Sequence, residues 1–135
     1  MSLEKLKRIG FIEIGHWTSE GEELIFINPD NTNYQNALYA FVCEKRVLYI
    51  GKTTNSLKKR FYGYIKPSTS QKTNLGNKRR LLNEIKTSGK ISIYAFEDKG
   101  LMIHGDLVVN LAYGLEKSII EKVDPEWNGK GNKTT

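Results

Sequence analysis

The chain has 135 residues, a net charge of +6 and a single cysteine. Its length corresponds to one globular domain, and its 39% of apolar residues is typical of a folded protein rather than a disordered one. The longest apolar run, residues 37–43, is far shorter than the roughly 20 residues of a membrane span. These features exclude a membrane helix and an internal disulfide, and the lone cysteine favours a reducing cytoplasmic location.

The charge balance favours an anionic partner. Lysine and arginine total 21 against 15 aspartates and glutamates. Such a surplus is typical of proteins that bind nucleic acid or an anionic membrane surface. Charge alone leaves open a basic protein that binds neither.

The first third of the chain predicts two β-hairpins. Residues 9–28 alternate around a Ser-Glu-Gly turn, and the loop sequence of residues 28–33 ends this unit. The apolar runs Ala37–Cys43 and Val47–Ile50 flank a charged turn and predict a second hairpin.

Helices and one further strand follow. Thr54, Asn55 or Ser56 can cap a helix that begins near Leu57 and ends before Pro67. The spacing of leucines predicts a second helix over residues 76–87, and residues 91–97 alternate as a strand. A last helix is expected from an N-cap at Asp106 to Pro125.

This order predicts an α+β fold with a small, mostly antiparallel three-stranded sheet flanked by helices and an extra N-terminal β-hairpin. We divide the chain into an N-terminal extension (residues 1–36), a main domain (37–128) and a basic flexible tail (129–135).

Several kinds of site are not indicated. One cysteine and two distant histidines do not supply a zinc site. The remaining candidate functional residues begin with two tyrosines, Tyr39 and Tyr49, which lie on the two strands of the second hairpin. Paired tyrosines on adjacent strands are also ordinary cross-strand core contacts, and the register that decides whether they share a face cannot be read from the sequence.

An ordered set of polar residues accompanies the tyrosines. Lys52 follows Tyr49-Ile50-Gly51, and Arg60 and Tyr64 lie four residues apart on the predicted helix. Glu116 and Asn128 follow, twelve residues apart, near the end of the chain. In this order the set resembles the GIY-YIG nuclease family over residues 37–128, although Ala37-Leu38 replaces the family's Gly-Ile. The choice of residues looks most like the excision-repair incision branch.

The resemblance implies a metal-dependent DNA endonuclease. Glu116 would then hold one divalent cation, Mg²⁺ or Mn²⁺, whose other ligands are waters and phosphate oxygens. Arg60 would hold the scissile phosphate with its planar fork. Tyr39 would be the base, Tyr49 and Tyr64 would orient water or phosphate, and Asn128 would support the site through hydrogen bonds.

The positively charged side chains lead to two further expectations. Lys52 beside the tyrosines would lower a tyrosine pKa from its usual value of about 10 and so favour a general base. Basic side chains on the two predicted helices would contact DNA phosphates without reading sequence. These side chains are Lys58, Lys59, Lys78, Arg79 and Arg80.

Two other functions stay open. A catalytically inactive nucleic-acid-binding module with the same fold would bind DNA but not cut it. A structural or protein-interaction domain would use the tyrosines as core and bind no DNA. For a nuclease, the sequence does not decide among restriction, homing and repair roles, and a restriction role would favour a homodimer.

Overall fold

A computed structural model describes residues 2–129 of the chain. The predicted basic tail lies outside the described residues, apart from Gly129. The elements in chain order are α1 Ser2–Arg8, β1 Ile12–Glu20, β2 Glu23–Ile27, β3 Gln35–Cys43, β4 Arg46–Ser56, α2 Leu57–Ile65, α3 Lys72–Ser88, β5 Ile91–Glu97, β6 Ile103–His104, β7 Leu107–Val108 and α4 Leu111–Val123.

The main sheet has five strands in the order β2-β1-β5-β3-β4, and every pair is antiparallel. The α+β class is therefore confirmed, whereas the prediction of a three-stranded sheet is wrong. The N-terminal hairpin is present, but it is not a separate unit. Its strand β1 pairs with β5, so the hairpin adds two strands to the main sheet. That pairing joins segments more than 70 residues apart in the chain, which local sequence patterns do not reveal.

Helices cover both faces of the sheet and create two cores. α2 and α3 lie on one face, where the core includes Trp17, Tyr39, Phe61 and Tyr64. α1 and α4 lie on the other, over Leu38, Ala40 and Ile50 among others. Alternate residues of β3 enter opposite cores because successive strand side chains point to opposite faces. A residue's place along β3 or β4 therefore decides which helices it meets.

The helices differ from the sequence expectations at several ends. α2 begins at Leu57, capped by Ser56 as predicted, while α3 begins four residues before the expected start. α4 begins at Leu111 with Asn110 as its N-cap, so the N-cap prediction for Asp106 is wrong. Asp106 instead lies in the turn of the short β6–β7 hairpin, which the sequence analysis did not predict.

No helix in the described part of the chain is both long and apolar enough to cross a membrane.

Candidate active site

The β3–β4 register places both tyrosines on the same face of the sheet. Tyr39 lies opposite Gly51, and Phe41 lies opposite Tyr49. The hairpin turn is Glu44-Lys45, where both residues have positive φ, as a two-residue turn requires. A register shift between Phe41 and Val42 then moves the pairing by one residue, which places Tyr49 on the same face as Tyr39. The rings of Tyr39 and Tyr49 are 6.3 Å apart between centroids. The question that the sequence left open is thus answered by the pairing of the strands.

Gly51 makes room for the Tyr39 ring. A Cβ atom at this position would lie 2.5 Å from the Tyr39 hydroxyl oxygen and 2.6 Å from Cζ. Real Cβ atoms do not approach other heavy atoms so closely. The absence of a side chain at Gly51 therefore lets the phenol ring cross the strand.

Arg60 and Tyr64 complete a polar cluster around the Tyr39 hydroxyl. The Tyr39 and Tyr64 hydroxyls are 2.6 Å apart, and Arg60 Nε donates to the Tyr39 oxygen at 3.0 Å. Arg60 Nη2 donates to the Tyr64 oxygen at 2.9 Å. Residues 60 and 64 are one helical turn apart, so both side chains of α2 point to the same spot. The structure brings these three predicted residues together.

Asn74 also belongs to this cluster and was missed by the sequence analysis. Its Oδ1 accepts from Arg60 Nη1 at 2.9 Å, which holds the guanidinium from the α3 side. Asn74 and Asn77 are buried and lie on the same helical stripe as Leu81 and Ile85. Amides at core-facing positions of an amphipathic helix are the signal that could have revealed them.

Burial works against ionisation of the tyrosines. Tyr39 and Tyr64 have no exposed surface, and desolvation raises the pKa of each above its usual value. Arg60 opposes this and lowers the pKa of Tyr39, but burial dominates. The expected lowering of a tyrosine pKa by Lys52 is therefore not found for Tyr39. The cation that favours its ionised form is Arg60.

Alkaline pH is expected to destabilise the fold through these tyrosines. Above pH ~10 the unfolded chain releases phenolic protons that the folded chain retains. The free energy of unfolding should then fall by up to ~1.4 kcal/mol per pH unit for each tyrosine. Urea unfolding between pH 9 and 11 measures this slope. Tyr39→Phe should show a shallower slope, and an unchanged slope would contradict the assignment.

Lys52 and Glu116 form a second polar group on the other face of the sheet. Lys52 lies opposite Leu38, whose side chain belongs to the α1–α4 core. Its Nζ is 2.8 Å from Glu116 Oε1 and 4.0 Å from the centroid of the Tyr113 ring. The hydrogen bond to Glu116 raises the pKa of Lys52, so this lysine stays charged. β4, which carries Lys52, is an edge strand of the sheet.

Asp98 anchors the helix that carries Glu116, although the sequence analysis did not select it. Its carboxylate accepts from the backbone N–H groups of Leu111 at 2.6 Å and Ala112 at 3.1 Å. It also accepts from Asn36 Nδ2 and from the Gly100 N–H. Desolvation alone would raise the pKa of Asp98, but these hydrogen bonds lower it overall. A carboxylate at a helix N-terminus is stabilising and fixes where α4 begins.

Asn128 holds the end of the described chain against β4. Its amide donates to the Ile50 carbonyl at 2.7 Å and accepts from the Ile50 N–H at 2.8 Å. Trp127 N–H donates to the Leu48 carbonyl at 2.7 Å. These hydrogen bonds are made to the strand between Tyr49 and Gly51, and the supporting role of Asn128 in the site stays a prediction.

The predicted DNA-binding cations differ in their surroundings. Lys58 contacts the Asn31 side chain, and Lys78 donates to the Ile65 carbonyl at 3.1 Å. Lys59 is exposed and borders a cleft of about 270 Å³ beside Arg60. Arg79 and Arg80 are both exposed, and Arg80 donates to Asn77 Oδ1 at 3.2 Å.

The donors for a metal ion are few. Within residues 2–129, no three histidine, cysteine, aspartate or glutamate side chains are grouped as a metal cage. Glu116 is the carboxylate predicted to bind the metal ion, and its side chain is 20% exposed. A carboxylate has about four acceptor positions, so the hydrogen bond from Lys52 leaves positions on Glu116 that a metal ion can use. One carboxylate fits Mg²⁺, which usually keeps waters and takes one or two protein carboxylates.

The solved structures to which the folded chain is similar include two nucleases. It is similar to a mutant of bacteriophage T4 EndoII, with a TM-score of 0.70 and 21% sequence identity, covering 94% of this chain and 97% of that chain. It is also similar to restriction endonuclease HPY188I in complex with product DNA, with a TM-score of 0.57 and 16% identity, covering 89% of this chain and 77% of that chain. By sequence, no known family and no curated protein match the chain.

At these identities the similarity establishes a shared fold. The similarity to EndoII spans nearly the full length of both chains, including the N-terminal residues outside the predicted main domain. The division of the chain at residues 36 and 128 stays a prediction, although β1 and β2 belong to the same sheet as the later strands.

Proposed function

We propose that this protein is a metal-dependent DNA endonuclease of the GIY-YIG type. The observation that carries the proposal is the Tyr39–Arg60–Tyr64 cluster, with three mutual contacts of 2.6 to 3.0 Å. The net charge of +6 and a fold shared with two nucleases support DNA as the substrate. The incision-like branch, a homodimer and the biological role stay predictions.

Arg60 is the residue proposed to bind the scissile phosphate. A guanidinium has five N–H donors, and Tyr39, Tyr64 and Asn74 take one each. The two remaining donors are available to a phosphate, since Arg60 borders the exposed cleft that Lys59 also lines. Hydrogen bonds from a guanidinium to phosphate are charge-assisted and roughly twice as strong as neutral ones.

Tyr39 is proposed as the base in the hydrolysis. A water molecule attacks phosphorus and loses a proton, one phosphorus–oxygen bond of the DNA backbone breaks, and the leaving oxygen takes up a proton from solvent to become a hydroxyl. The Tyr39 oxygen, once ionised, accepts the proton from water. Arg60 stabilises the ionised form, and the Tyr64 hydroxyl can donate to it at 2.6 Å. The half-buried Tyr49 ring borders this cluster and is proposed to orient water or phosphate.

Glu116 is the residue proposed to hold the divalent cation, Mg²⁺ or Mn²⁺. When bound, such an ion neutralises phosphate charge and stabilises the leaving oxygen. Lys52 holds the Glu116 carboxylate in one orientation and stays charged at the edge of β4. Asp98 fixes the start of α4 and thereby the position of Glu116 along the sheet.

The alternative is an inactive nucleic-acid-binding module. The burial of Tyr39 and Tyr64 is compatible with it, because hydroxyls joined to an arginine also stabilise a core. The two functions differ in one respect: only the nuclease cuts DNA in the presence of a divalent cation.

Nicking of supercoiled plasmid tests the proposal. We expect cutting with Mg²⁺ or Mn²⁺ and none with EDTA. Arg60→Gln should reduce the rate about 10²-fold, as removal of a phosphate donor does in other sites. Lys66→Gln removes one exposed positive charge just after the end of the same helix and should change the rate less than about threefold. Metal-independent binding without cutting would instead support the inactive module.

A further inference from the structure

A second groove lies beside the tyrosine cluster, between α3 and residues 126–129. It has a volume of about 450 Å³. Tyr49 lines it, and the same ring is 6.3 Å from that of Tyr39. The groove therefore joins the proposed active site at Tyr49. No function was predicted for this groove from the sequence.

The groove contains a buried amide with an unused donor. Asn77 is only 1% exposed, and its Nδ2 has no hydrogen-bond partner within the described structure. Arg80 Nη1 donates to Asn77 Oδ1 at 3.2 Å, which fixes the amide with Nδ2 as the free donor. Buried donors in native proteins are nearly always satisfied by protein, water or ligand, so the free Nδ2 is a donor that a ligand acceptor can use.

The surrounding side chains define the chemistry of that ligand. Lys72 and Arg80 supply positive charge at the groove, which favours phosphate oxygens as acceptors. The one carboxylate in the lining, Glu126, is already engaged by Arg46 at 3.0 Å. Trp127 is half-buried and lines the groove with Tyr49, so two aromatic rings border it. Aromatic faces beside cations are typical of sites that stack nucleobases of a single strand.

We propose that this groove binds one unstacked nucleotide of the DNA strand that enters the active site. Its phosphate would accept hydrogen bonds from Asn77, Arg80 and Lys72, and its base would stack on Trp127. The inference rests on the proposed function, since it takes DNA as the substrate. It adds a preference for DNA in which a nucleotide next to the cut is unpaired or easily unstacked.

Tryptophan fluorescence can test the proposal without any cleavage. Of the two tryptophans, Trp17 is fully buried among aromatic rings, so quenching by a ligand reports on Trp127. In EDTA, a thymidine oligonucleotide of about ten residues should quench this fluorescence, because base–aromatic stacking requires ring contact. An abasic oligonucleotide of the same length should bind without quenching. Equal quenching by both, or none by either, would overturn base stacking on Trp127.

Arg80 and Lys86 make a matched pair for the phosphate contact. Both are exposed cations of α3, but only Arg80 lines the groove. Arg80→Gln should weaken oligonucleotide binding about fivefold and reduce the slope of log K against log salt by ~0.7. Lys86→Gln should change affinity less than about twofold. Equal losses from both variants would show that the oligonucleotide is attracted to the charge of the helix as a whole, and would overturn binding in the groove.

Asn77→Asp provides a test of the amide itself. The variant keeps an acceptor for Arg80 but replaces the Nδ2 donor with a negative oxygen, so binding should weaken more than about tenfold. Because the new carboxylate is buried, the melting temperature should also fall, and binding is measured well below it. Unchanged binding by a folded variant would overturn the proposal. Plasmid nicking without quenching would contradict the groove alone, whereas quenching without nicking would contradict the nuclease activity alone.

Discussion

Replacing Glu116 by glutamine is expected to reduce plasmid nicking about 10³-fold, equivalent to ~4 kcal/mol of transition-state stabilisation. Glutamine keeps the shape of the side chain but removes the charge that a hard divalent cation requires. It also removes the ion pair with Lys52, which is 2.8 Å from the carboxylate. Single-turnover nicking rates in saturating Mg²⁺ measure the loss.

Glu121→Gln is the matched control for this prediction. Glu121 lies on the same helix, but its side chain is exposed and no role is assigned to it. We expect its nicking rate to stay within about twofold of the wild type, as surface substitutions rarely matter. A folded Glu116→Gln protein that nicks at the wild-type rate would disprove the role of Glu116. Equal losses in both variants would indicate that the overall charge of the helix matters instead.

Gly51→Ala is expected to destabilise the protein by ~3 kcal/mol, at the upper end of the usual cost of an overfilled core. The added Cβ would lie 2.5 Å from the Tyr39 hydroxyl oxygen, and that ring has no exposed surface into which it can retreat. Displacing the ring would also break its contacts with Arg60 and Tyr64, so nicking should be lost. Urea unfolding and plasmid nicking measure the two effects.

Gly114→Ala makes the same chemical change where there is open space. No atom lies within 4 Å of a Cβ at this α4 position. Alanine in a helix interior is favoured over glycine, so this variant should be more stable by ~0.5–1 kcal/mol. Tyr39→Phe should rescue Gly51→Ala only in part, because Cζ would still be 2.6 Å from the new atom. Wild-type stability of Gly51→Ala would show that Tyr39 does not cross the strand in solution.

Local sequence patterns correctly predicted the helix start and the strand that depend on residues close together in the chain. Strand β5 has the predicted bounds, residues 91–97, because its side chains alternate between the two cores. α2 starts where Ser56 accepts the Lys59 N–H, which is short-range chemistry. The pairing of β1 with β5, by contrast, joins distant segments and depends on the completed sheet. This is why a five-stranded sheet was predicted to have three strands.

The start of α4 shows how tertiary contacts override a local signal. Asp106 is a good N-cap by residue type, yet the helix begins five residues later. Asn110 caps the helix by accepting from the Tyr113 N–H, and Asp98, a buried carboxylate from the end of the β5 region, accepts the first two N–H groups of the helix. A short hairpin fills the intervening residues. Nothing in the residues around 106 encodes that distant partner.

For the candidate site, the sequence by itself determined which chemical groups are present and in what order. Tertiary structure decided their partners. Strand register placed Tyr39 and Lys52 on opposite faces of the sheet, because side chains alternate along a strand. Burial then raised the pKa of Tyr39, and Arg60, held by Asn74, became the cation beside it. These outcomes depend on packing between elements distant in the chain, which residue spacing does not encode.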